Sequence, residues 1–234
     1  MLDTPVRSFE RIGHRGAPRE LPENTLEGFT RALERGADAV ELDVHATSDG
    51  VCVVHHDPTL GRAIDASVAG RAIATMSWAE LRRVEIVPGI RVPSLAQVLV
   101  LLSGRATVYV EIKAPRIEQL VAEVIDAGDA RCAVHSFDHD TIARIARIAP
   151  HLRRGILFDE PPSDVQKSMR AAAATDVWPH WQLVDERLVQ AVHDSGGRVL
   201  TWTVNALPVA ERLVPMGVDG ICSDDLRLFA PPPR

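Results

Sequence analysis

The chain has 234 residues, a formal net charge of −6, 46% hydrophobic and 25% charged residues. That apolar share excludes global disorder, the acidic balance excludes the basic field that nucleic acid requires, and no apolar run approaches the roughly 18 residues of a membrane span. Residues 1–10 contain no apolar stretch of the signal-peptide kind, and the three scattered cysteines Cys52, Cys132 and Cys222 read as buried free thiols of a reducing, cytoplasmic environment rather than as a disulfide framework.

Strand-like and helix-like segments alternate along the chain. Residues 10–14 read as a strand. Residues 24–35 read as an amphipathic helix with Leu26, Phe29, Ala32 and Leu33 on one side. A strand is expected over 39–45, and 51–55 reads as its continuation. Residues 58–93 read as mostly loop, with one short helical piece at 78–83. A helix over 94–102 opens on Ser94, a residue suited to capping. Strands are then expected at 107–113, 131–137, 154–158, 175–178, 198–204 and 220–222. Helices are expected between them at 117–127, 140–148, 164–173, 186–195 and 209–216. The Pro231-Pro-Pro run is expected to end the fold. About eight strand–helix alternations predict a parallel α/β protein. No G-x-G-x-x-G follows the first strand, which argues against an open doubly wound sheet. The expectation is therefore a single (β/α)8 TIM barrel over residues 1–234. Residues 58–93 would be a small insertion after the second strand unit, on the face where barrels carry their sites.

Alternation places chemistry on one side of two strands. In Ala39-Val-Glu-Leu-Asp-Val-His45 the apolar residues share one face, while Glu41, Asp43 and His45 share the other. Val108-Tyr-Val-Glu-Ile-Lys113 repeats the pattern and turns Tyr109, Glu111 and Lys113 inward. Glu41, Asp43 and Glu111 are the oxygen donors that Mg²⁺ or Ca²⁺ prefers, or else they form buried ion pairs with Arg or Lys. His14 closes the first strand and His55-His56-Asp57 closes the segment after the second. Two imidazoles facing one site can divide base and acid work near neutral pH. His45, His135, His139, His151, His180 and His193 read as packed or surface histidines. Arg15 and Lys113 suit an anionic group or simply neutralise the acids. The basic residues number 26, of which 24 are Arg, so a lysine at position 113 stands out against the chain's own bias. Trp202 also points inward, as barrel core or as an apolar wall for substrate.

His14-Arg-Gly, Pro22-Glu-Asn-Thr25, Glu41-Leu-Asp43, Thr47-Ser-Asp-Gly50, His56-Asp-Pro-Thr-Leu60, Glu111-Ile-Lys113, Ser136-Phe137, Trp202-Thr-Val-Asn205 and Gly217-Val-Asp-Gly220 occur in that order. With these motifs the chain resembles the glycerophosphodiester phosphodiesterase family along nearly its whole length. The resemblance implies a TIM barrel with an insertion and one divalent metal on Glu41, Asp43 and Glu111. It implies His14 and His56 as the acid/base pair, Arg15 and Lys113 near the phosphate, and Asn24 as a supporting polar group. The expected reaction is metal-dependent hydrolysis of a glycerophosphodiester to sn-glycerol 3-phosphate and an alcohol. The partner would be a small molecule, with neither nucleic acid nor stable membrane insertion. The resemblance departs at Ser223-Asp-Asp-Leu226, where the family often has Thr-Asp-x-Pro, and at Leu60-Gly-Arg62, where an acid often replaces the Gly. Cleavage of lysophospholipids, a metal-dependent aldolase or lyase barrel, and an inactive binding barrel are the competing readings. No expected catalytic group is missing, which disfavours the last.

Overall fold

The computed structural model describes residues 9–61 and 64–229; Arg62 and the Pro231-Pro-Pro run lie outside the described residues. In chain order the elements are β1 (Glu10–His14), α1 (Leu26–Glu34), β2 (Ala39–Ala46) and β3 (Cys52–Val54). A segment with α2 (Trp78–Leu81), β4 (Glu85–Val87) and β5 (Ile90–Arg91) follows. Then come α3 (Leu95–Leu102), β6 (Thr107–Ile112), α4 (Glu118–Asp126), β7 (Cys132–Ser136), α5 (His139–Ile148) and β8 (Arg153–Phe158). The chain continues through α6 (Val165–Ala172), β9 (Asp176–Pro179), α7 (Glu186–Asp194), β10 (Arg198–Thr201), α8 (Leu207–Leu213) and β11 (Gly220–Ser223).

Eight of these strands pair in parallel in the order β1, β11, β10, β9, β8, β7, β6, β2, and β2 returns to β1. This is a closed (β/α)8 barrel. It forms because each strand carries two chemically distinct faces. The outward Val40, Leu42, Val44, Val108, Val110 and Ile112 pack under Phe29 of α1, Leu95 and Val98 of α3, and Val121 of α4. A second outer layer joins Ile142, Ile156, Val177, Val189, Val199 and Leu213 on the other half. Inside the barrel, Ile12, Tyr109, Trp178, Leu200 and Cys222 fill the lumen. Each such aliphatic or aromatic side chain taken fully out of water contributes about 1.5–3 kcal/mol. Helix starts are set by side-chain caps: Thr25, Ser94, Asp138, Asp164 and Asp185 each accept a backbone N–H of the first turn.

Several sequence expectations need correction. Residues 51–55 do not continue β2. They turn back on it, with β3 antiparallel in the register Val44↔Val54 and Ala46↔Cys52. The turn is held by the Thr47 hydroxyl, which donates to Asp49 and accepts from the Val51 N–H. Alternation has period two in either direction, so a hairpin and a continued strand look alike in sequence. The 58–93 segment is more ordered than expected. Besides α2 it carries a 3₁₀ turn at Ile73–Thr75 and the β4–β5 hairpin. Its own apolar cluster, Leu60, Ile73, Met76, Leu81 and Val92, packs on Val53. The expected helix over 209–216 begins earlier, at Leu207, with Pro208 in its first turn, and gives way to a 3₁₀ turn at Val214–Met216. The strand expected to reach 204 stops at Thr201. Cys132 is half-buried rather than buried, while Cys52 and Cys222 are buried, and all three are free. Burial pushes the Cys52 and Cys132 thiols up to about 12, and Cys222 well above its ordinary value. Among the described residues, no helix is long and apolar enough to cross a membrane.

Candidate active site

Register gathers the inward side chains at the C-terminal end of the barrel. His14 lies opposite Glu41, Asp43 opposite Glu111, and Glu111 opposite His135 across the β1, β2, β6 and β7 ladders. A cavity of about 110 Å³ is lined by His14, Arg15, Glu41, His56, Glu111, Lys113 and Trp202 among the expected residues. His135, Phe137, Leu157, Trp178 and Cys222 complete its walls. Asp43 and Asn24 do not line it. Both are buried, and Asn24 spends its side chain on Asp43: Nδ2 donates to Oδ2 at 2.9 Å.

The loop after β1 aims Arg15. Arg15 has φ 52° and Asn24 has φ 57°, the left-handed region that costs a side-chain-bearing residue free energy unless its surroundings hold it there. They do so here. The Arg15 N–H donates to Glu41 Oε2 at 3.2 Å, and the Asn24 N–H donates to the Arg15 carbonyl at 2.9 Å. The Arg15 guanidinium meets Asp43 Oδ2 at 3.2 Å and both oxygens of Glu23 at 3.2 Å. Gly16 follows at φ 95°, and a Cβ there would stand 2.8 Å from the Gly28 carbonyl carbon of α1, so the turn can sit against the helix only without a side chain.

Two imidazoles are oriented in the same way. His14 Nδ1 lies 2.6 Å from Asp224 Oδ1, and His56 Nδ1 lies 2.8 Å from Asp57 Oδ1. In each case a carboxylate accepts the Nδ1 proton and leaves Nε2 for other work. His14 Nε2 is 3.9 Å from Glu41, and Lys113 Nζ donates to His56 Nε2 at 3.3 Å. Burial works against a charged His14, but the Asp224 hydrogen bond and the Glu41 charge outweigh it and raise its proton affinity. His55 is turned elsewhere, with Nδ1 on the Asp57 carbonyl at 2.9 Å, and it does not line the cavity.

The acids are crowded. Lys113 Nζ is 3.1 Å from Glu111 Oε1 and 3.7 Å from Asp43 Oδ1. Asp43 Oδ1 nevertheless has no hydrogen-bond partner. Burial, followed by the charge of Asp43, pushes the Glu111 carboxyl upward. Glu41 goes the other way: burial would raise it, but His135, His14 and Arg15 outweigh that and hold it low. Buried carboxylates that outnumber their cationic partners, one with an orphaned oxygen, fit a divalent cation. Glu41, Glu111 and His135 each offer a ligand atom within 4.8 Å of the others.

Sequence reading did not single out three of the groups gathered here. His135 shares the inward face of β7 with Ala133 and sits beside Glu111. Its parity within 131–137 was the available signal. Asp224 and Asp57 hold the two imidazoles. Asp57 adjoins His56 in sequence, whereas Asp224 reaches His14 only through barrel closure across 210 positions.

The profile of the Glycerophosphoryl diester phosphodiesterase family matches residues 14–228. A glycerophosphodiester phosphodiesterase of Caldanaerobacter subterraneus subsp. tengcongensis is 31% identical over 92% of this chain and 93% of its own length. The crystal structure of a glycerophosphodiester phosphodiesterase from Agrobacterium tumefaciens superposes with a TM-score of 0.85 and 27% identity, over 96% of this chain and 100% of that one. The same fold recurs in an Oleispira antarctica phosphodiesterase solved with the product sn-glycerol-3-phosphate, with a TM-score of 0.86 and 24% identity, over 94% of this chain and 95% of that one. With the family matched over residues 14–228 and a relative 31% identical over 92% of this chain, the protein belongs to the glycerophosphodiester phosphodiesterase family of enzymes.

Proposed function

We propose that the enzyme hydrolyses glycerophosphodiesters to sn-glycerol 3-phosphate and an alcohol, with His14 and His56 as the proton-transfer pair and one divalent cation on Glu41, Asp43 and Glu111. The observation that carries this is the pair of imidazoles, each with Nδ1 bound to a carboxylate, in one cavity with Arg15 and Lys113. The Oleispira phosphodiesterase of the same fold, described with sn-glycerol-3-phosphate as its product, supports the choice of product.

Arg15 and Lys113 receive the phosphate, the guanidinium as a fork and the ammonium as a point charge. A bound divalent cation would supply charge neutralisation at the phosphate and acidify a hydroxyl at the site. With oxygen donors alone, the site favours Mg²⁺ or Ca²⁺. His56 already accepts a hydrogen bond at Nε2, so its lone pair there is the base that takes a proton from the attacking water, whose oxygen bonds to phosphorus as the bond to the alcohol oxygen breaks. His14, whose proton affinity is raised, delivers a proton from Nε2 to the departing alkoxide. Asp224 and Asp57 keep both rings in the tautomer this exchange requires. Asn24 acts at one remove by bracing Asp43. Trp202 is held by its Nε1–H on the Trp178 carbonyl at 2.9 Å and stacks edge-on against Phe137, giving the mouth an apolar wall. A shallow groove between Lys113 and Asp138 leads away from the cavity and takes the alcohol portion. Residues 1–234 act as one catalytic domain with 58–93 inserted in it, and the free thiols suit a cytoplasmic location.

The test is phosphorus NMR of purified protein with a panel of soluble glycerophosphodiesters, with and without chelator. The expected result is sn-glycerol 3-phosphate from at least one substrate, lost on chelation and restored by divalent metal. Unchanged turnover in excess chelator, with no trapped ion by elemental analysis, would sink the metal requirement. No hydrolysis of any member of the panel would sink the substrate class.

A further inference from the structure

His135 is only 1% exposed, yet its Nδ1 has no hydrogen-bond partner. The nitrogen that faces the acids is Nε2, so ligation rests on what Nε2 meets. Its Nε2 stands 3.8 Å from Glu41 Oε1, too far for a hydrogen bond, which ends near 3.2 Å. Two donors that share an ion at roughly 2.0–2.2 Å each can stand up to about 4.4 Å apart, so this separation suits joint ligation. The neighbouring strand place is Glu111, and all three residues bring ligand atoms within 4.8 Å of one another.

The ring is also built into position. The Trp178 indole stacks on it, with centroids 4.5 Å apart and planes 16° from parallel. That stack exists because β8 carries Gly155 at the place beside His135. A Cβ on Gly155 would meet Trp178 Nε1 at 2.7 Å and His135 Cβ at 3.2 Å. The glycine lets the indole cross its strand, and the indole fixes the imidazole plane toward Glu41.

We infer that His135 is a nitrogen ligand of the metal site, and that it turns the site's preference from Mg²⁺ or Ca²⁺ toward a nitrogen-tolerant first-row ion of the Mn²⁺-to-Zn²⁺ series. This rests on the divalent-cation reading of the site proposed above. The chemistry is that of donor softness: imidazole adds little for the hard, oxygen-seeking Mg²⁺ and Ca²⁺, and progressively more along the series toward Zn²⁺. Asp43, which is bound to Asn24 and Arg15 on one oxygen, stays within the site, while His135 sharpens which ion it selects.

The experiment compares the metal-stripped wild type with His135→Gln and His135→Asn, and with His151→Gln as an exposed control. Mn²⁺, Zn²⁺ and Mg²⁺ are each titrated calorimetrically, and the Mn²⁺-loaded proteins are examined by pulsed electron paramagnetic resonance for a directly coordinated nitrogen. The expected result is a Kd for Mn²⁺ and Zn²⁺ raised about 10–100-fold in both His135 variants, the usual scale for a metal site's supporting groups. The Kd for Mg²⁺ should move by less than about threefold, which also serves as the folding control, and the nitrogen signal should vanish. His151→Gln should match the wild type. Equal losses for Mg²⁺ and Zn²⁺, or a nitrogen signal that persists without His135, would overturn the inference while leaving the metal reading intact. If no cation binds the wild type, the metal reading falls and the inference falls with it.

Discussion

The two ends of this barrel both bury charge, and they do it differently. At the base, Tyr109 donates to Glu10 at 2.6 Å and accepts from Arg153 at 2.7 Å and Arg198 at 2.8 Å. Arg198 also forks onto both oxygens of Asp176, at 3.1 and 3.0 Å. Glu10 and Asp176 are matched there by Arg153 and Arg198, and the phenol sits between them. At the rim, Glu41, Asp43 and Glu111 are buried against two permanent cations, Arg15 and Lys113, with His14 and His135 within 3.9 Å of Glu41. Asp43 Oδ1, His135 Nδ1 and Arg15 Nε lack hydrogen bonds there, and Arg153 Nε lacks one at the base, so what separates the two ends is the count of charges. Balance marks an arrangement that serves the fold. Imbalance that burial should punish persists where something else is meant to bind.

This contrast predicts that substitutions at the rim and at the base fail in opposite ways. The largest effect should come from the imidazoles. His14→Ala and His56→Ala should each lower kcat by about 10²-fold or more, the usual worth of a positioned acid or base, while the midpoint of urea unfolding stays put. His55→Ala should be mild, because that ring is turned onto a carbonyl outside the cavity. A lethal His55→Ala beside a harmless His56→Ala would reverse the assignment. At the base, Asp176→Asn should do the converse. It leaves two guanidiniums short of a partner and should cost about 3 kcal/mol of stability, the lower end for a broken buried pair because both arginines are partly exposed. Its kcat per folded molecule should equal that of the wild type. A base variant that lost turnover without losing stability would show that the base network also serves the reaction.

Much of the rim was legible because alternation in β2 and β6 is a local property of sequence. Glu41, Asp43, Glu111 and Lys113 could be assigned to one face before any partner was known. What was not legible depends on register and closure. Parity in 131–137 turns His135 inward, but the ring gains meaning only when register sets Glu111 beside it. Asp224 appeared as part of a departure from the family pattern. Barrel closure shows that its carboxylate occupies the place that holds His14. The reversal of β3 was hidden for a different reason, since a turn preserves the parity of the residues on either side. The base network was equally silent, because Glu10, Tyr109, Arg153, Asp176 and Arg198 come from five strands.

Lys113 refines the comparison on the rim itself. Its ammonium sits within 3.1–3.7 Å of Glu111, His56 and Asp43, a space shared by three partners. A guanidinium is planar and broader, so Lys113→Arg should keep the charge and the fold yet lose roughly tenfold or more in kcat/KM, about 1.4 kcal/mol. Lys167→Arg, on α6, should be silent. Full turnover in a folded Lys113→Arg enzyme, with circular dichroism as control, would mean that only charge matters there. Glu111→Gln should separate function from stability. Removing one of three crowded carboxylates should abolish most activity while raising the unfolding midpoint of the metal-stripped protein, a gain on the order of 1 kcal/mol. A lowered midpoint would mean that the rim acids stabilise the fold as the base pairs do.

The smallest effect concerns charge beside the site rather than in it. Glu20 lies in the same loop after β1 as Arg15, outside the cavity, and two arginines face its one carboxylate. Arg35 reaches it at 2.8 and 2.6 Å, and Arg31 at 2.9 Å. The hydrogen bonds from Arg35 and then Arg31 outweigh what burial does and hold its carboxyl down at about 2. A depressed carboxyl favours the folded state wherever it is ionised. Its contribution is therefore complete above the unfolded value of 4.5 and fades as pH falls toward 2. Arg35 is exposed and Arg31 partly so, and the gain is therefore screened by solvent and stays small. Glu20→Gln should lower the urea midpoint slightly at pH 7, and the difference from wild type should close as the pH is taken from 5 to 2.5. Turnover should be unaffected at neutral pH. A gap that widened in acid would reverse the sign of the linkage, and a loss of turnover would tie this outer pair to the site after all.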